Sequence, residues 1–287
     1  MGHQKSIIKQ VTDTLDGLKA YGQSKHLDKL DNGGKPAMEK IYSLSTMDNY
    51  KEVCLDFANW ARDTHGCKTL EAARPYTGEY LQQRMDGGLS AYTVRRDAAG
   101  IAKLYQCQTT DLGVTLPTRH RADVTQHRGN KSAGHFSETK NRELVDLCKA
   151  TGLRRHEVAA LRPSDVTQNS AGQTIVHVQQ GKGGKTRDVV ALNDRPFQIA
   201  QAAQAAGQER VIEHIPNRAP IHEYRAEFAQ TMYNQLARDP ATLPSSEEYR
   251  CRRDMAGTVF DKAAMGAVSA ALGHNRLSVM TSYLDKR

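Results

Sequence analysis

Long apolar runs are absent from this 287-residue sequence, and no stretch approaches the roughly 20 apolar residues that a membrane-spanning helix needs. The first 20 residues include Lys5, Lys9, Asp13, Asp16 and Lys19, a composition that argues against a secretory signal. Hydrophobic residues make up 38% of the chain and charged residues 25%, which is typical of a globular protein and excludes a fully disordered one. We therefore expect a cytoplasmic protein with one large or two smaller domains.

Cysteine is scarce, which limits the chemistry that the chain can use. The sequence has five cysteines, an odd number, and no two of them form a C-x-x-C pair. This argues against a disulfide framework and a zinc knuckle, and it favours a reducing compartment. The histidines show no metal-ligand spacing, since His156-Glu157 and His222-Glu223 are not followed by the second His of H-E-x-x-H. We expect neither a metal nor a cofactor.

Charge is in moderate excess on the basic side. The chain has 40 Lys and Arg residues against 32 Asp and Glu residues, a formal net charge of +8. A positive net charge attracts polyanions at long range, although this value is compatible with many functions. It favours a polyanionic partner without identifying one.

The first part of the chain has the periodicity of a small helical bundle. Apolar residues recur every three or four positions over 46–64 and again over 75–85, and each of these patterns predicts an amphipathic helix. Asp86-Gly87-Gly88 is a stop signal, and Ser90 is a good N-cap for the next apolar pattern. We assign residues 1–112 to one helical domain.

Residues 113–135 interrupt these patterns, because they contain few apolar side chains and several Gly and basic residues. We interpret the segment as a basic linker between domains, although a solvated surface loop would have the same composition. Its basic side chains are candidate contacts to a polyanion: Arg119, Arg121, Arg128 and Lys131.

Residues 136–287 mix helical and strand patterns. A β-branched run at 174–179 and a second run at 187–192 flank a Gly-Lys turn, which predicts a β-hairpin with a basic tip. Helices are predicted after Ser137 or Thr139, at 157–161, from about 195 to 206, at 222–238 and at 261–272, with Gly152 and Gly207 as stops. The expected fold class is α+β and mostly helical, with a small antiparallel sheet in the second domain.

Four segments occur in a specific order along this second part: TGLRRHEVAALRPSDV (151–166), GKGGKTRDVVAL (181–192), IHEYRAEFAQ (221–230) and LGHNRLSVMTSYL (272–284). Each segment alone is weak. Together, on a helix, a hairpin and two helices, they resemble the tyrosine recombinase (phage integrase) family, in particular integrases of mobile elements. The resemblance implies a helical core-binding domain followed by a mixed α/β catalytic domain, and we place the catalytic domain at 136–287.

The chemistry implied by the resemblance explains why these residue types are needed. Cleaving a phosphodiester without a metal places extra negative charge on a phosphate, and guanidinium groups bind phosphate oxygens in a bidentate manner. A phenol needs a base or a positive field in order to attack, and the leaving oxygen needs a proton donor. The resemblance assigns these roles to six residues: Arg154, Lys182, His222, Arg225, His274 and Tyr283. It also implies that Glu157 and Asp165 support Arg154.

The sequence leaves two assignments open. Lys185 could replace Lys182 if the hairpin turn is wider, and it is otherwise a candidate DNA contact. Arg252 competes with Arg225 because of its spacing. In the family that the sequence resembles, the second arginine lies about two dozen residues before the later histidine. Arg252 lies 22 residues before His274, whereas Arg225 lies 49 before it. We prefer His222 and Arg225 over Tyr249 and Arg252, because an amphipathic helix follows Arg225, and we interpret 238–260 as an insertion in which Arg252 is a DNA contact.

The resemblance implies a site-specific recombinase that forms a 3′-phosphotyrosine intermediate and acts as a homotetramer on two duplexes, most plausibly to integrate or excise a mobile element. Accessory DNA-bending proteins and a nucleoid location in a prokaryotic or phage setting fit the same reading. Two alternatives are a catalytically silent DNA-binding protein and a relaxing enzyme similar to topoisomerase IB. Only four residues follow Tyr283, which puts the family's usual tail-mediated subunit contact in doubt.

Overall fold

A computed structural model describes residues 5–35, 37–121, 136–181 and 184–284. The chain divides into two compact units, residues 1–125 and 126–287. Each unit has a buried apolar cluster of its own. The boundaries of the predicted domains at 112 and 136 stay a prediction.

The described part of the first unit is helical. Its α-helices are α1 (Ile7–Gly17), α2 (Lys25–Asp31), α3 (Leu44–His65), α4 (Leu70–Ala73), α5 (Thr77–Asp86) and α6 (Ala91–Leu104). Short 3-10 turns lie at Arg74–Tyr76 and Thr109–Leu112. The helix predicted at 75–85 therefore begins as a 3-10 turn that contains Pro75, which has no backbone N–H to donate.

Helix α3 shows how local sequence sets the element. The Ser43 hydroxyl accepts a hydrogen bond from the Thr46 backbone N–H at the start, and Gly66 ends the helix in the left-handed conformation at φ 67°. Its buried face packs against α6, where the absence of a side chain at Gly100 allows close approach: a Cβ there would lie 3.2 Å from the Tyr50 ring. The Cys54 thiol donates to the Gly100 carbonyl across this contact at 3.4 Å.

The first residues of the predicted linker are held by the first unit. Arg95 of α6 donates to the carbonyls of Pro117 at 2.6 Å and Leu116 at 3.3 Å. The remainder of the predicted linker, with the exception of residues 118–121, lies outside the described residues.

The second unit contains five α-helices and five strands among its described residues. The helices are α7 (Arg142–Thr151), α8 (Arg155–Ala160), α9 (Arg195–Ala205), α10 (Ile221–Leu236) and α11 (Lys262–Ala271). The strands are β1 (Val166–Gln168), β2 (Thr174–Val178), β3 (Arg187–Val190), β4 (Glu248–Arg250) and β5 (Val259–Asp261). Short 3-10 segments lie at Thr139–Asn141, Pro163–Asp165, Pro240–Thr242, Arg253–Met255 and Leu277–Ser282.

The strands form two antiparallel sheets. One has the order β1-β2-β3, and the predicted hairpin is its β2-β3 pair, with Val178 opposite Arg187. The other is the β4-β5 pair, which lies within the predicted insertion except for Asp261 at the end of β5. The mostly helical α+β class with small antiparallel sheets is confirmed. Strands β1, β4 and β5 were not predicted, since three residues are too few to show an alternating pattern.

Two further properties concern the described residues only. None of their helices combines the length and the apolar composition of a membrane-spanning segment. All five cysteines lie in described segments and are free thiols.

Candidate active site

Arg154 is positioned by a turn between two helices. Helix α7 ends at Gly152, which is in the left-handed conformation at φ 60°, and Arg154 is the N-cap residue of α8. Its Nη1 donates to Glu157 Oε1 at 2.9 Å and its Nη2 donates to the Leu272 carbonyl at 3.2 Å. Hydrogen bonds to Glu157 and Leu272 therefore fix the orientation of the guanidinium. Only 11% of the Arg154 side chain is exposed.

Glu157 is the buried carboxylate that joins two arginines. Its Oε1 and Oε2 accept from Nη1 and Nη2 of Arg187 at 2.9 and 2.8 Å, and Oε2 also accepts from the Arg154 backbone N–H at 2.8 Å. Burial raises the pKa of Glu157, but the hydrogen bonds and charges of Arg187 and Arg154 outweigh burial and lower the pKa to about 2. The carboxylate is ionised at neutral pH and supports Arg154, as the resemblance implied.

Asp165 makes its hydrogen bonds with residues other than Arg154. Its carboxylate accepts from the Arg162 backbone N–H and from the Gln179 side chain. Asp165 therefore caps the 3-10 turn before β1 and links it to the segment after β2. None of these hydrogen bonds reaches Arg154, so the support that the resemblance implied for Asp165 is not a direct contact.

Arg225 is fully buried on α10. Its Nη1 donates to the Gly152 carbonyl, and its Nη2 donates to the Leu272 carbonyl at 2.6 Å and lies 3.3 Å from His274 Nε2. Arg154 and Arg225 therefore meet at one carbonyl oxygen, that of Leu272. Burial lowers the pKa of Arg225 to about 10, with a further lowering by Arg154 that hydrogen bonding to Tyr283 opposes. Arg225 still carries its charge at neutral pH.

The phenol of Tyr283 lies beside these groups. Its ring centroid is 5.9 Å from Arg225 Cζ and 5.7 Å from the His274 ring. The 3-10 segment Leu277–Ser282 carries the chain from His274 to Tyr283, and the Tyr283 backbone N–H donates to the Met280 carbonyl at 2.8 Å. The tyrosine and the arginines of the same chain thus share one site.

The two rival arginines occupy different places. Arg225 lies in the cluster with His274 and Tyr283, whereas Arg252 is exposed on the connection between β4 and β5. His222 is exposed one turn before Arg225 on α10. Arg155, the neighbour of Arg154, donates instead to main-chain carbonyls between 215 and 219.

The remaining predicted site residues lie in both units or outside the described residues. Lys185 is exposed and its Nζ donates to Asn275 Oδ1 at 2.9 Å, one residue after His274. Arg119 and Arg121 are exposed in the first unit, and Arg119 Cζ lies 5.4 Å from the Tyr92 ring centroid. Three predicted residues lie outside the described residues: Lys182, Arg128 and Lys131.

Sequence reasoning missed Arg187, which lies at the start of β3. Besides holding Glu157, its Nε donates to the Ala271 carbonyl at 2.8 Å. No pattern distinguished this arginine, since a basic residue at the edge of a hairpin is ordinarily a solvated one. Its importance depends on the approach of Glu157 and Ala271, which are 30 and 84 residues away.

This arrangement can bind an anionic oxygen and deliver a phenol to it. Two guanidinium groups that converge on one carbonyl repel each other, and an anion between them relieves the repulsion. Among the described residues no group of three or more His, Cys, Asp or Glu side chains could hold a metal ion.

Residues 37–110 match the family model of the phage integrase N-terminal SAM-like domain. Two solved structures with the same fold are complexes of the XerH site-specific recombinase with difH substrates. The post-cleavage complex has a TM-score of 0.56 at 16% identity, and the pre-cleavage complex has 0.52 at 16%. Each alignment covers 96% of this chain and 90% of that chain. The chain shares the fold of these XerH structures.

The structure of the Tn1549 transposon integrase in complex with transposon right end DNA is a weaker match to this chain. It has a TM-score of 0.48 at 12% identity and covers 97% of this chain and 94% of that chain. No curated protein matches the sequence significantly.

Proposed function

We propose that this protein is a site-specific DNA recombinase that cleaves and rejoins DNA through a 3′-phosphotyrosine intermediate. One observation carries the proposal: the Tyr283 ring lies beside Arg225, and Arg225 meets Arg154 at the Leu272 carbonyl. A phenol, two guanidinium groups and an imidazole thus lie close together in one chain. The integrase SAM-like domain at 37–110 and the fold shared with XerH support DNA as the substrate.

In the proposed reaction, the Tyr283 phenolate oxygen attacks the scissile phosphorus and the bond from phosphorus to the 5′-oxygen breaks. Arg154 and Arg225 stabilise the negative charge on the non-bridging oxygens. His222 and His274 orient the phosphate and assist removal of the phenolic proton, and Lys182 donates a proton to the departing 5′-oxygen. The phosphotyrosine keeps the energy of the phosphodiester, so attack by a 5′-hydroxyl of another strand rejoins the DNA.

The charge on Arg225 matters for the nucleophile as well as for the phosphate. A cation at 5.9 Å from the ring centroid stabilises a phenolate relative to a phenol, because it favours the anionic form. Unperturbed tyrosine has a pKa of about 10, so activation of this kind is needed near neutral pH. In this scheme Arg225 therefore assists both the attacking phenol and the phosphate.

The biological setting follows from the same proposal. Strand exchange between two sites requires two duplexes and one active tyrosine for each cleaved strand, which is met by a homotetramer. We infer integration or excision of a mobile element as the process. Arg119, Arg121, Arg128, Lys131, Lys185 and Arg252 are proposed contacts to the DNA backbone.

A suicide-substrate experiment tests the proposal. Nicked duplexes are built on inverted repeats that flank the coding sequence, together with a pool of nicked duplexes with randomised arms. The wild-type protein is expected to give an SDS-resistant protein–DNA adduct, and Tyr283→Phe is expected to give none because the attacking oxygen is removed. Tyr21→Phe, a change at an exposed tyrosine of the first unit, serves as the control and should give the wild-type yield.

The products separate the alternatives. Joining of strands from two different duplexes supports recombination, whereas relaxation of plasmid DNA without preference for a site would replace it with a topoisomerase-like activity. An absence of adduct on both kinds of nicked DNA, with DNA binding retained, would contradict the proposal in favour of a silent DNA-binding protein.

A further inference from the structure

Arg187 lies in a slot that two glycines leave open. A Cβ at Gly181 would lie 2.9 Å from Arg187 Nη1, and a Cβ at Gly273 would lie 3.2 Å from both Cδ and Nη1 of Arg187. Gly273 also has a φ of 66°, which side-chain-bearing residues rarely adopt. The arginine therefore packs between the turn of the β2-β3 hairpin and Gly273, the residue that precedes His274.

The hydrogen bonds of Arg187 join separate parts of the second unit. Its Nε donates to the carbonyl of Ala271 at the end of α11, and its two terminal nitrogens donate to both oxygens of Glu157 on α8. Only 10% of the Arg187 side chain and none of the Glu157 side chain is exposed. Such a bidentate contact fixes the plane of the carboxylate, which a single contact would not do.

Among the described residues, Glu157 is the side chain that joins Arg187 to Arg154. Its Oε1 accepts from both Arg187 Nη1 and Arg154 Nη1, at 2.9 Å each. If Arg187 were removed, half of the hydrogen bonds that fix this carboxylate would go with it, and a buried carboxylate would shift toward Arg154 for compensation. The orientation of Arg154 would then change.

We propose that Arg187 is a positioning residue for the recombination reaction, which holds Arg154 in its phosphate-binding orientation through Glu157. This inference rests on the proposed function. Arg187 itself does not point at the phosphate in this scheme, because its three bonded nitrogens are directed to Glu157 and Ala271. Lysine cannot replace it, since a single ammonium group cannot serve both carboxylate oxygens and a carbonyl in a planar array.

The first test compares cleavage with binding. Arg187→Met is expected to slow single-turnover adduct formation on the captured nicked duplex by about 100-fold, because small misplacements in a catalytic site have effects of that order. Affinity for the same duplex, measured with Tyr283→Phe in both proteins to prevent trapping, should stay within about threefold since the phosphate contacts of the wider surface remain. Arg195→Met, which removes a partly exposed ion pair with Asp146, is the matched control and should retain the wild-type rate.

The second test asks which part of the reaction is impaired. A 5′-bridging phosphorothiolate has a sulfur leaving group that needs no proton, so it bypasses the general acid but still needs the arginines. The defect of Arg187→Met should persist on this substrate. Recovery of the wild-type rate would place the defect at the proton donor and would overturn the proposal.

The third test asks whether Arg187 acts through Glu157. Arg187→Met in a Glu157→Gln background should be no slower than the slower of the two single variants, because both changes release the same arginine. The double variant also avoids the unpaired buried carboxylate that could prevent Arg187→Met from folding. The positioning role would be refuted if the double variant were slowed by the product of the two single-variant factors. It would also be refuted if Arg187→Met cleaved as fast as the control Arg195→Met. A wild-type protein without adduct would instead refute the proposed function.

Discussion

At the scale of single residues, the site depends on buried charges that are paired. Glu157 is 3% exposed and would be unfavourable there without Arg154 and Arg187. Arg225 is fully buried, and its two terminal nitrogens donate to carbonyl oxygens. No described residue accepts a hydrogen bond from its buried Nε. Buried donors that keep a free direction are suited to a ligand with oxygen atoms.

The pairing of Glu157 predicts a dependence of stability on pH. The folded-state pKa is about 2, below the ordinary value, so its contribution is present above about pH 5 and is lost as the pH falls toward 2. The wild type should exceed Glu157→Gln in free energy of unfolding at neutral pH, and this difference should shrink by about 3 kcal/mol between about pH 5 and pH 2.

Urea unfolding at several pH values measures that difference. Glu143→Gln, a change at an exposed residue of α7, should follow the wild type at each pH. A difference between the wild type and Glu157→Gln that does not vary with pH would show that Glu157 is not held as an ionised carboxylate.

At the scale of the elements, the turn between α7 and α8 holds both of the arginines that we propose to be catalytic. Gly152 ends α7, its carbonyl accepts from Arg225, and Arg154 follows two residues later. A Cβ at Gly152 would lie 2.8 Å from Phe228 Cγ and 3.0 Å from Leu272 Cδ2. The turn is therefore restricted to glycine by backbone conformation and by packing against α10.

A pair of glycine substitutions separates these two restrictions. Gly172→Ala changes a residue with φ 75° and no atom within 4 Å of the added Cβ, so it should cost roughly 1–2 kcal/mol for the left-handed backbone alone. Gly152→Ala should cost roughly a further 1–3 kcal/mol because Phe228 and Leu272 must move.

Urea denaturation measures these costs. The midpoint should fall further for Gly152→Ala than for Gly172→Ala, with the dependence of the free energy of unfolding on urea concentration unchanged. Because Phe228 lies one turn after Arg225 on α10, Gly152→Ala should also reduce adduct formation, and Gly172→Ala should not. Equal destabilisation by the two substitutions would mean that Phe228 and Leu272 yield without cost.

At the scale of the whole molecule, the net charge of +8 concerns affinity more than specificity. If the protein neutralises six or more phosphates, its affinity for duplex DNA should fall roughly 10³-fold between about 50 and 200 mM salt. Arg119 is exposed and is proposed to contact the DNA backbone. Arg119→Gln removes its charge and should therefore reduce the slope of log affinity against log salt by about 1.

Fluorescence anisotropy with a labelled duplex gives these slopes. Arg62→Gln serves as the control, because the Arg62 guanidinium is paired with Asp63 at 2.8 Å and its loss should leave the slope unchanged. An affinity that changes less than about tenfold over the same salt range would contradict extensive phosphate contact.

Most helices and the central hairpin could be predicted because their signals are local. The periodicity over 46–64 gives α3 to within two residues at each end, and the stop at Gly152 reflects a backbone conformation that glycine adopts easily. The β-branched runs on either side of the Gly-Lys turn predict β2 and β3 for the same reason. Caps, turns and periodicity each involve residues only a few positions apart.

The composition of the site depends on contacts between distant residues. Spacing along the chain favoured Arg252 over Arg225, and only the packing of α10 beside Gly152 and Leu272 brings Arg225 to Tyr283. Arg187 and Glu157 are 30 residues apart, and neither shows its partner in any local pattern. A buried charge is stable only where donors and acceptors from several segments meet, and that convergence exists only in the folded chain.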